Sequence, residues 1–301
     1  MERRRIVAIE SDVPVRNLSR LPDEEREKRM WEKIQKGESI ESPDEMSDDY
    51  FQNLVNLMLQ QADSELAGAF GYVQWIMQAP TTEEKLAVAN IVKNEVRRAR
   101  AIYRLLEDLG IDADSHVAKH DYTLRLDLKS DELKDKRAAD DRRVNIFYYP
   151  IDTWADFVMF RFCVDRGAGH QLEDVRKSTY GPWKREIERI FKEEMMHVNH
   201  GDYWVKKMAF DRSTKSEIQA VLNKWYLRTM NIFGRPKTHR NQIYRKYGLK
   251  LRDNDEVRKG FSEEVRLKCS EWGLNLPDWK PEWKKIVQGT PFGEEDGVIS
   301  G

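Results

Sequence analysis

Cysteine is nearly missing from this chain. Cys163 and Cys269 are the two in 301 residues, too few and too far apart for a disulfide framework or a zinc cluster. They read as buried hydrophobes in a reducing compartment. An excess of one charge is missing as well. Lys and Arg together number 52 and Asp and Glu 53, a formal net charge of −1, so no nucleic-acid partner is expected. No run of about 18 apolar residues occurs, which excludes a membrane-spanning helix. The opening Met1-Glu2-Arg3-Arg4-Arg5 leads only into Ile6 to Ile9 before Glu10, which is not the apolar stretch of a secretory signal. Together these absences point to a soluble, cytoplasmic protein. What is present is 40 % hydrophobic residues, enough in a chain of this length for a sizeable core. Charged residues reach 35 %; long helices with wet faces or a thermophilic source would each produce that.

The chain divides into three parts. Residues 1–44 form a charged N-terminal arm with room for one helix in the stretch 23–36, ending near the turn formers Ser42-Pro43. Residues 45–275 carry the helical patterning, and 276–301 form an irregular Pro-, Trp- and Gly-rich tail. Within the middle part, 47–78 has no Pro and only Gly68 and Gly71. Phe51, Leu54, Val55, Met58, Leu59, Ala62, Leu66 and Phe70 recur there at three- and four-residue spacing, the stripe of an amphipathic helix. Ala79-Pro80-Thr81-Thr82 breaks it. Thr82 reads as the N-cap of a second helix that runs to about Leu109 and stops at Gly110. After a polar, Asp-rich segment (111–150) a second pair is expected over 153–179 and 183–210, turning at Gly181-Pro182. Further helices are expected over 214–232 and 255–272. Strand signals are thin, and the fold class is all-α.

The two hairpins carry the chemistry. Glu65 precedes Pro80 by fifteen residues and Glu95 follows it by fifteen. With the same rise per residue in both arms, the two carboxylates stand level on neighbouring antiparallel helices. Asp165 precedes Tyr180 by fifteen residues and Glu194 follows it by fourteen, which levels a second pair. His197 lies three after Glu194, on the same helical face. Glu65 sits beside Ala62 and Leu66, Asp165 follows Phe162-Cys163-Val164, and Glu194 precedes Met195-Met196. Carboxylates in apolar surroundings are costly unless a cation compensates them. Four-helix carboxylate proteins use a Glu from each of two helices and Glu-x-x-His from the other two to bind two iron or manganese ions. Glu65, Glu95, Asp165, Glu194 and His197 occupy such places. The sixth is Arg98, three after Glu95. A guanidinium stays protonated and cannot ligate a metal, but it can neutralise Glu65 or Glu95 by a salt bridge. Three occupancies stay open on the sequence: two metals, one near Asp165, Glu194 and His197, or none. His200 reads as a surface residue and His170 as a residue that could line a channel. The aromatics Trp75, Tyr103, Trp154, Phe160, Tyr180, Trp183, Tyr203 and Trp204 read as helix packing, and the charge run 129–143 as a solvated linker.

From about Pro43 to Trp272 the sequence resembles the catalytic subunit of bacterial multicomponent phenylacetyl-CoA epoxidase. The matching residues include Asp63-Ser64-Glu65-Leu66, Trp75-Ile76, Ala79-Pro80-Thr81, Tyr149-Pro150, Trp154-Ala155-Asp156 and Val164-Asp165. They continue through Thr179-Tyr180-Gly181-Pro182, Lys192-Glu193-Glu194-Met195-Met196-His197, Trp225 and Phe233-Gly234. The resemblance implies a ferritin-like four-helix bundle, here with the N-terminal arm and additional C-terminal helices, and a non-haem di-iron centre. That centre activates O2 to epoxidise or hydroxylate an aromatic ring held as a CoA thioester. By the same resemblance Glu65, Glu95, Asp165, Glu194 and His197 match metal ligands and catalytic positions, with Arg98 where the family has its other histidine. Iron, two ions or one, is the implied cofactor, and manganese suits the same ligands. The implied partners are a flavin/iron–sulfur reductase and a sister ferritin-like subunit, in an oligomer. Gly167-Ala168-Gly169-His170 departs from the family's more apolar run. The alternative reading is a metal-poor, non-catalytic interaction subunit of the same fold. Iron storage is set aside, because such cages use shorter chains.

Overall fold

A computed structural model describes residues 16–126 and 141–280. In chain order the helices are α1 (Asp23–Gln35), α2 (Asp48–Tyr72), α3 (Trp75–Gln78), α4 (Thr82–Asp108), α5 (Ala113–Ala118), α6 (Trp154–Phe160), α7 (Arg166–Val175), α8 (Gly181–Phe210), α9 (Lys215–Thr229), α10 (His239–Lys246) and α11 (Asn254–Glu271). The described residues contain no named strand, only an isolated parallel bridge between Ile40 and Tyr180. The fold is all-α, as the patterning implies. No helix among the described residues is long and apolar enough to cross a membrane.

Helices α2, α4, α6 and α11 start where a side chain accepts from orphan backbone N–H groups, whereas α8 has no such cap and instead carries Pro182 in its first turn. Ser47 accepts from Tyr50 N at 3.2 Å at the head of α2. Thr81, not Thr82, caps α4, accepting from Glu84 N at 3.2 Å. The expectation had chosen the wrong one of two adjacent threonines; only Thr81 has the extended backbone that a cap requires. Thr153 and Asp156 form a reciprocal capping box at α6. Gly110, at φ +87°, ends the α4 segment in the left-handed conformation that glycine tolerates.

The bundle is built from α2 along α4, and from α8 packed against α4 on one side and the α6–α7 run on the other. The helix expected over 153–179 is interrupted. Arg161–Asp165 form a single π turn between α6 and α7, a local widening of the helix by one residue. Gly201 of α8 lies against it so closely that a Cβ would stand 2.6 Å from the Phe162 backbone nitrogen. Two further expectations fail on exposure: Phe70 is 44 % and Tyr203 58 % exposed. Of the charge run 129–143, residues 129–140 lie outside the described residues. Asp141 and Arg143 are buried, paired with each other at 2.8 Å rather than solvated. Helices α5 and α10 had no counterpart in the sequence reading.

Among the described residues the apolar core is two large clusters, with a small third one at Leu126 and Tyr148. The first gathers Tyr72, Trp75, Val88, Ile91, the 157–164 run, Trp204–Ala209 and the α9 and α11 faces. The second gathers Met30, Ile40, the first half of α2 as far as Ala62, Ala99–Leu109, Leu172 and Trp183–Ile190. On all four bundle segments the change from one cluster to the other falls at the acidic positions 65, 95, 165 and 194. A polar layer therefore crosses the bundle between two dry ones.

Candidate metal centre

That layer contains Glu65 from α2, Glu95 and Arg98 from α4, Arg161 and Asp165 from the π turn, and Glu194 and His197 from α8. Arg98 is 1 % and Arg161 0 % exposed. Arg98 Nη1 donates to Glu194 Oε2 at 2.5 Å and lies 3.6 Å from Glu65 Oε2 and 3.7 Å from Glu95 Oε1. Arg98 Nε is turned back toward Glu193 Oε2, 3.4 Å away, and Glu193 is held in turn by Arg97 at 2.5 Å. Arg161 reaches Glu95 Oε1 at 3.4 Å and Asp165 Oδ2 at 2.8 Å, its guanidinium 5.0 Å from the centre of the Tyr72 ring.

His197 faces the same carboxylates. Its Nδ1 lies 3.3 Å from Glu95 Oε1 and 3.6 Å from Glu194 Oε2, within ion-pair reach of both, and the side chain is buried. On the other side of the ring, Nε2 meets the Asn94 amide at 3.4 Å. One ligand atom from each of Glu95, Glu194 and His197 falls within 4.8 Å of the others, so these three can converge on a single cation. The sequence had grouped Asp165 with Glu194 and His197. In the structure Glu95 takes that place, because Arg161 draws Asp165 aside.

Electrostatics separates the four acids. Burial pushes the Glu65 carboxyl well above the usual carboxylate range, helped by the charge of Glu95 and opposed by Arg98. Burial does the same to Asp165 against the pull of Arg161. Glu95 and Glu194 feel comparable burial but are held low instead. His197 and Arg98 outweigh it at Glu95, and Arg98 with His197 outweighs it at Glu194. The two carboxylates facing His197 are thus the two that favour the ionised form, the form a metal ion requires.

The neighbouring motif residues have other work. Asp63 is fully buried and accepts from Tyr103 Oη at 2.7 Å and Tyr122 Oη at 2.9 Å. His116 Nε2 is 3.0 Å away, and the Arg142 backbone N–H donates at 3.1 Å. Ser64 Oγ accepts from Val144 N at 3.0 Å. Asp63 and Ser64 thereby anchor the segment after α4 to α2, while Glu65 turns inward. His200 bonds Glu84 at 2.8 Å and His170 bonds Glu264 at 2.8 Å; neither enters the layer. Surface pockets of about 290 and 690 Å3 are lined by other residues. Arg161, Asn94 and Glu193 escaped the sequence reading. Arg161 had a signal: it is the lone charge inside Phe157-Val-Met-Phe-Arg-Phe-Cys-Val164, four before Asp165.

The donor set of Glu95, Glu194 and His197, oxygen-rich with one imidazole, fits one iron or manganese ion. The remainder of the layer already contains cations, the guanidiniums of Arg98 and Arg161, and does not fit a second ion as it stands. Residues 23–288 match the family described as phenylacetic acid catabolic protein. One of the subunits of the 1,2-phenylacetyl-CoA epoxidase of Escherichia coli (strain K12) is 26 % identical over 260 residues, 84 % of this chain and 78 % of that relative.

Proposed function

The chain belongs to the phenylacetic acid catabolic protein family, and from that premise we propose that it is a monooxygenase-type subunit that epoxidises or hydroxylates an aromatic acyl-CoA with O2. The observation that carries this reading is the convergence of buried ligand atoms from Glu95, Glu194 and His197 within 4.8 Å of one another. Two carboxylates that favour the ionised form and an imidazole facing them make a donor set that one metal ion satisfies. For that reason we place the metal-poor interaction subunit second.

The ligands we assign are Glu95, Glu194 and His197, with Glu65 and Asp165 at the edge of the site. Iron is the metal proposed, manganese its competitor. When bound, the metal supplies the redox chemistry that O2 needs. In the balance of the reaction one oxygen atom enters the ring and the other leaves as water. Two electrons and two protons are consumed, the electrons coming from a flavin/iron–sulfur reductase. The protein's part is to hold the reacting centre dry and charged. Apolar clusters on both sides exclude water, which strengthens every charge interaction in the layer. Arg98 and Arg161 hold fixed positive charge beside the acids, and Asn94 fixes the rotation of the His197 ring. We further propose a sister subunit of the same fold, an oligomeric assembly and a cytoplasmic setting; two free, buried cysteines support the last.

The test is phenylacetyl-CoA-dependent O2 consumption by iron-loaded protein with an electron donor. Wild type is expected to turn over, and His197→Ala and Glu194→Ala to lose activity while remaining folded. Undiminished turnover in both variants would refute the assignment.

A further inference from the structure

We propose that the centre takes one divalent metal ion per chain, at Glu95, Glu194 and His197, with the Arg98 guanidinium as a permanent cation where a second ion would lie. This rests on the metal-site reading of the preceding section and makes it narrower.

Arg98 Nη1 is within 3.7 Å of carboxylates from three different helices, Glu65 on α2, Glu95 on α4 and Glu194 on α8. That is the position a bridging cation needs. The guanidinium is also tethered from behind. Its Nε faces Glu193, which Arg97 clamps at 2.5 Å, and the side chain is 1 % exposed. Vacating the position would break the guanidinium's ion pairs with Glu65, Glu95 and Glu194 at once and leave it Glu193, which Arg97 already neutralises.

Arg161 closes the other flank. It spans Asp165 and Glu95, so Asp165 is already matched to a charge. Even with all four carboxylates ionised, the two guanidiniums leave only two negative charges, which one divalent ion neutralises and two would overshoot. The independent sign of a ligand is His197, 3 % exposed, whose Nδ1 faces Glu95 and Glu194 at 3.3 and 3.6 Å and converges with them on one point.

The experiment is metal stoichiometry by elemental analysis on full-length protein loaded anaerobically with Fe(II) or Mn(II), with the Mn(II) spectrum read by electron paramagnetic resonance. Wild type is expected to bind about one ion per chain and to give the hyperfine sextet of an isolated Mn(II). His197→Ala should bind none. Arg98→His, which removes the fixed cation and adds a ligand, should bind about two and show exchange coupling between the ions. Two coupled ions in wild type would overturn the single-ion proposal while leaving the oxygenase reading standing. No bound metal in folded wild type would overturn both. If Arg98→His does not fold, the wild-type stoichiometry and spectrum decide the question by themselves.

Discussion

Removing the Arg98 side chain should cost far more than removing a surface cation of equally good geometry. Arg185 pairs with Glu41 at 2.9 Å, but the two side chains are 64 % and 44 % exposed, and such a pair contributes about 0–1 kcal/mol. Arg98 is the charge partner of three acids inside a dry layer. Arg98→Ala would take from Glu194 its guanidinium partner and leave Glu95 with Arg161 and His197, and breaking a buried pair from one side costs about 3–5 kcal/mol. Urea denaturation of metal-free protein should therefore show a loss of that size for Arg98→Ala and almost none for Arg185→Ala. Equal small losses would mean that the layer is wetter than its burial indicates.

At the scale of elements, the π turn and the helix facing it set the site. Arg161 and Asp165 both point into the bundle because the wide turn accommodates them, and α8 approaches that turn through Gly201. A methyl group there meets the Phe162 backbone nitrogen at 2.6 Å, and backbone cannot step aside as a flexible side chain can. Gly201→Ala should destabilise by about 1–3 kcal/mol. Because His197 is one helical turn away on the same helix, the variant should also lose metal affinity. Thermal unfolding with a metal titration checks both, and an unchanged affinity would show that α8 slides as a rigid rod without disturbing His197.

A second pair of elements, α7 and α11, is joined by Glu264 with Arg166 at 2.7 Å and His170 at 2.8 Å. Partial burial works against the ionised Glu264, but His170 and Arg166 outweigh it and lower its pKa to about 2. A carboxylate depressed in the folded state contributes stability that is present above its ordinary value of 4.5 and lost as pH falls toward 2. Glu264→Gln should therefore flatten the fall in stability over that window. A matching slope in the variant would shift the acid sensitivity to other groups.

These elements also show what the sequence could disclose. The hairpin spacing located Glu65, Glu95, Asp165 and Glu194 in one layer because helical rise is constant, and position 98 stood out as an arginine. The π turn was illegible, since a one-residue widening changes no residue type. With it went the knowledge that Arg161, marked only as the lone charge in an apolar run, takes Asp165 away from His197. The choice between Thr81 and Thr82 was equally hidden, resting on backbone angles rather than on composition. Buried Asp141 and Arg143 were misread because charge runs are usually wet, whereas a bidentate pair can go inside.

For the whole molecule, the position of the layer would make the proposed metal a structural clamp as well as a reagent. A cation at Glu95, Glu194 and His197 ties α4 to α8 midway between two apolar clusters that do not otherwise form one core. An ion that binds only the folded chain stabilises it by about 2.7 kcal/mol when present at a hundredfold excess over its dissociation constant. Chelation should then lower the Tm of the wild type by roughly 5 °C in a domain of this size. His197→Ala, having lost the imidazole ligand, should already unfold at the lower temperature and ignore the chelator. The comparison separates a clamp from adventitious binding, because surface carboxylates that collect metal would respond to chelator alike in both proteins. A wild type insensitive to chelation despite measured metal would mean that Arg98 and Arg161 alone hold the four helices together, with the ion free to come and go.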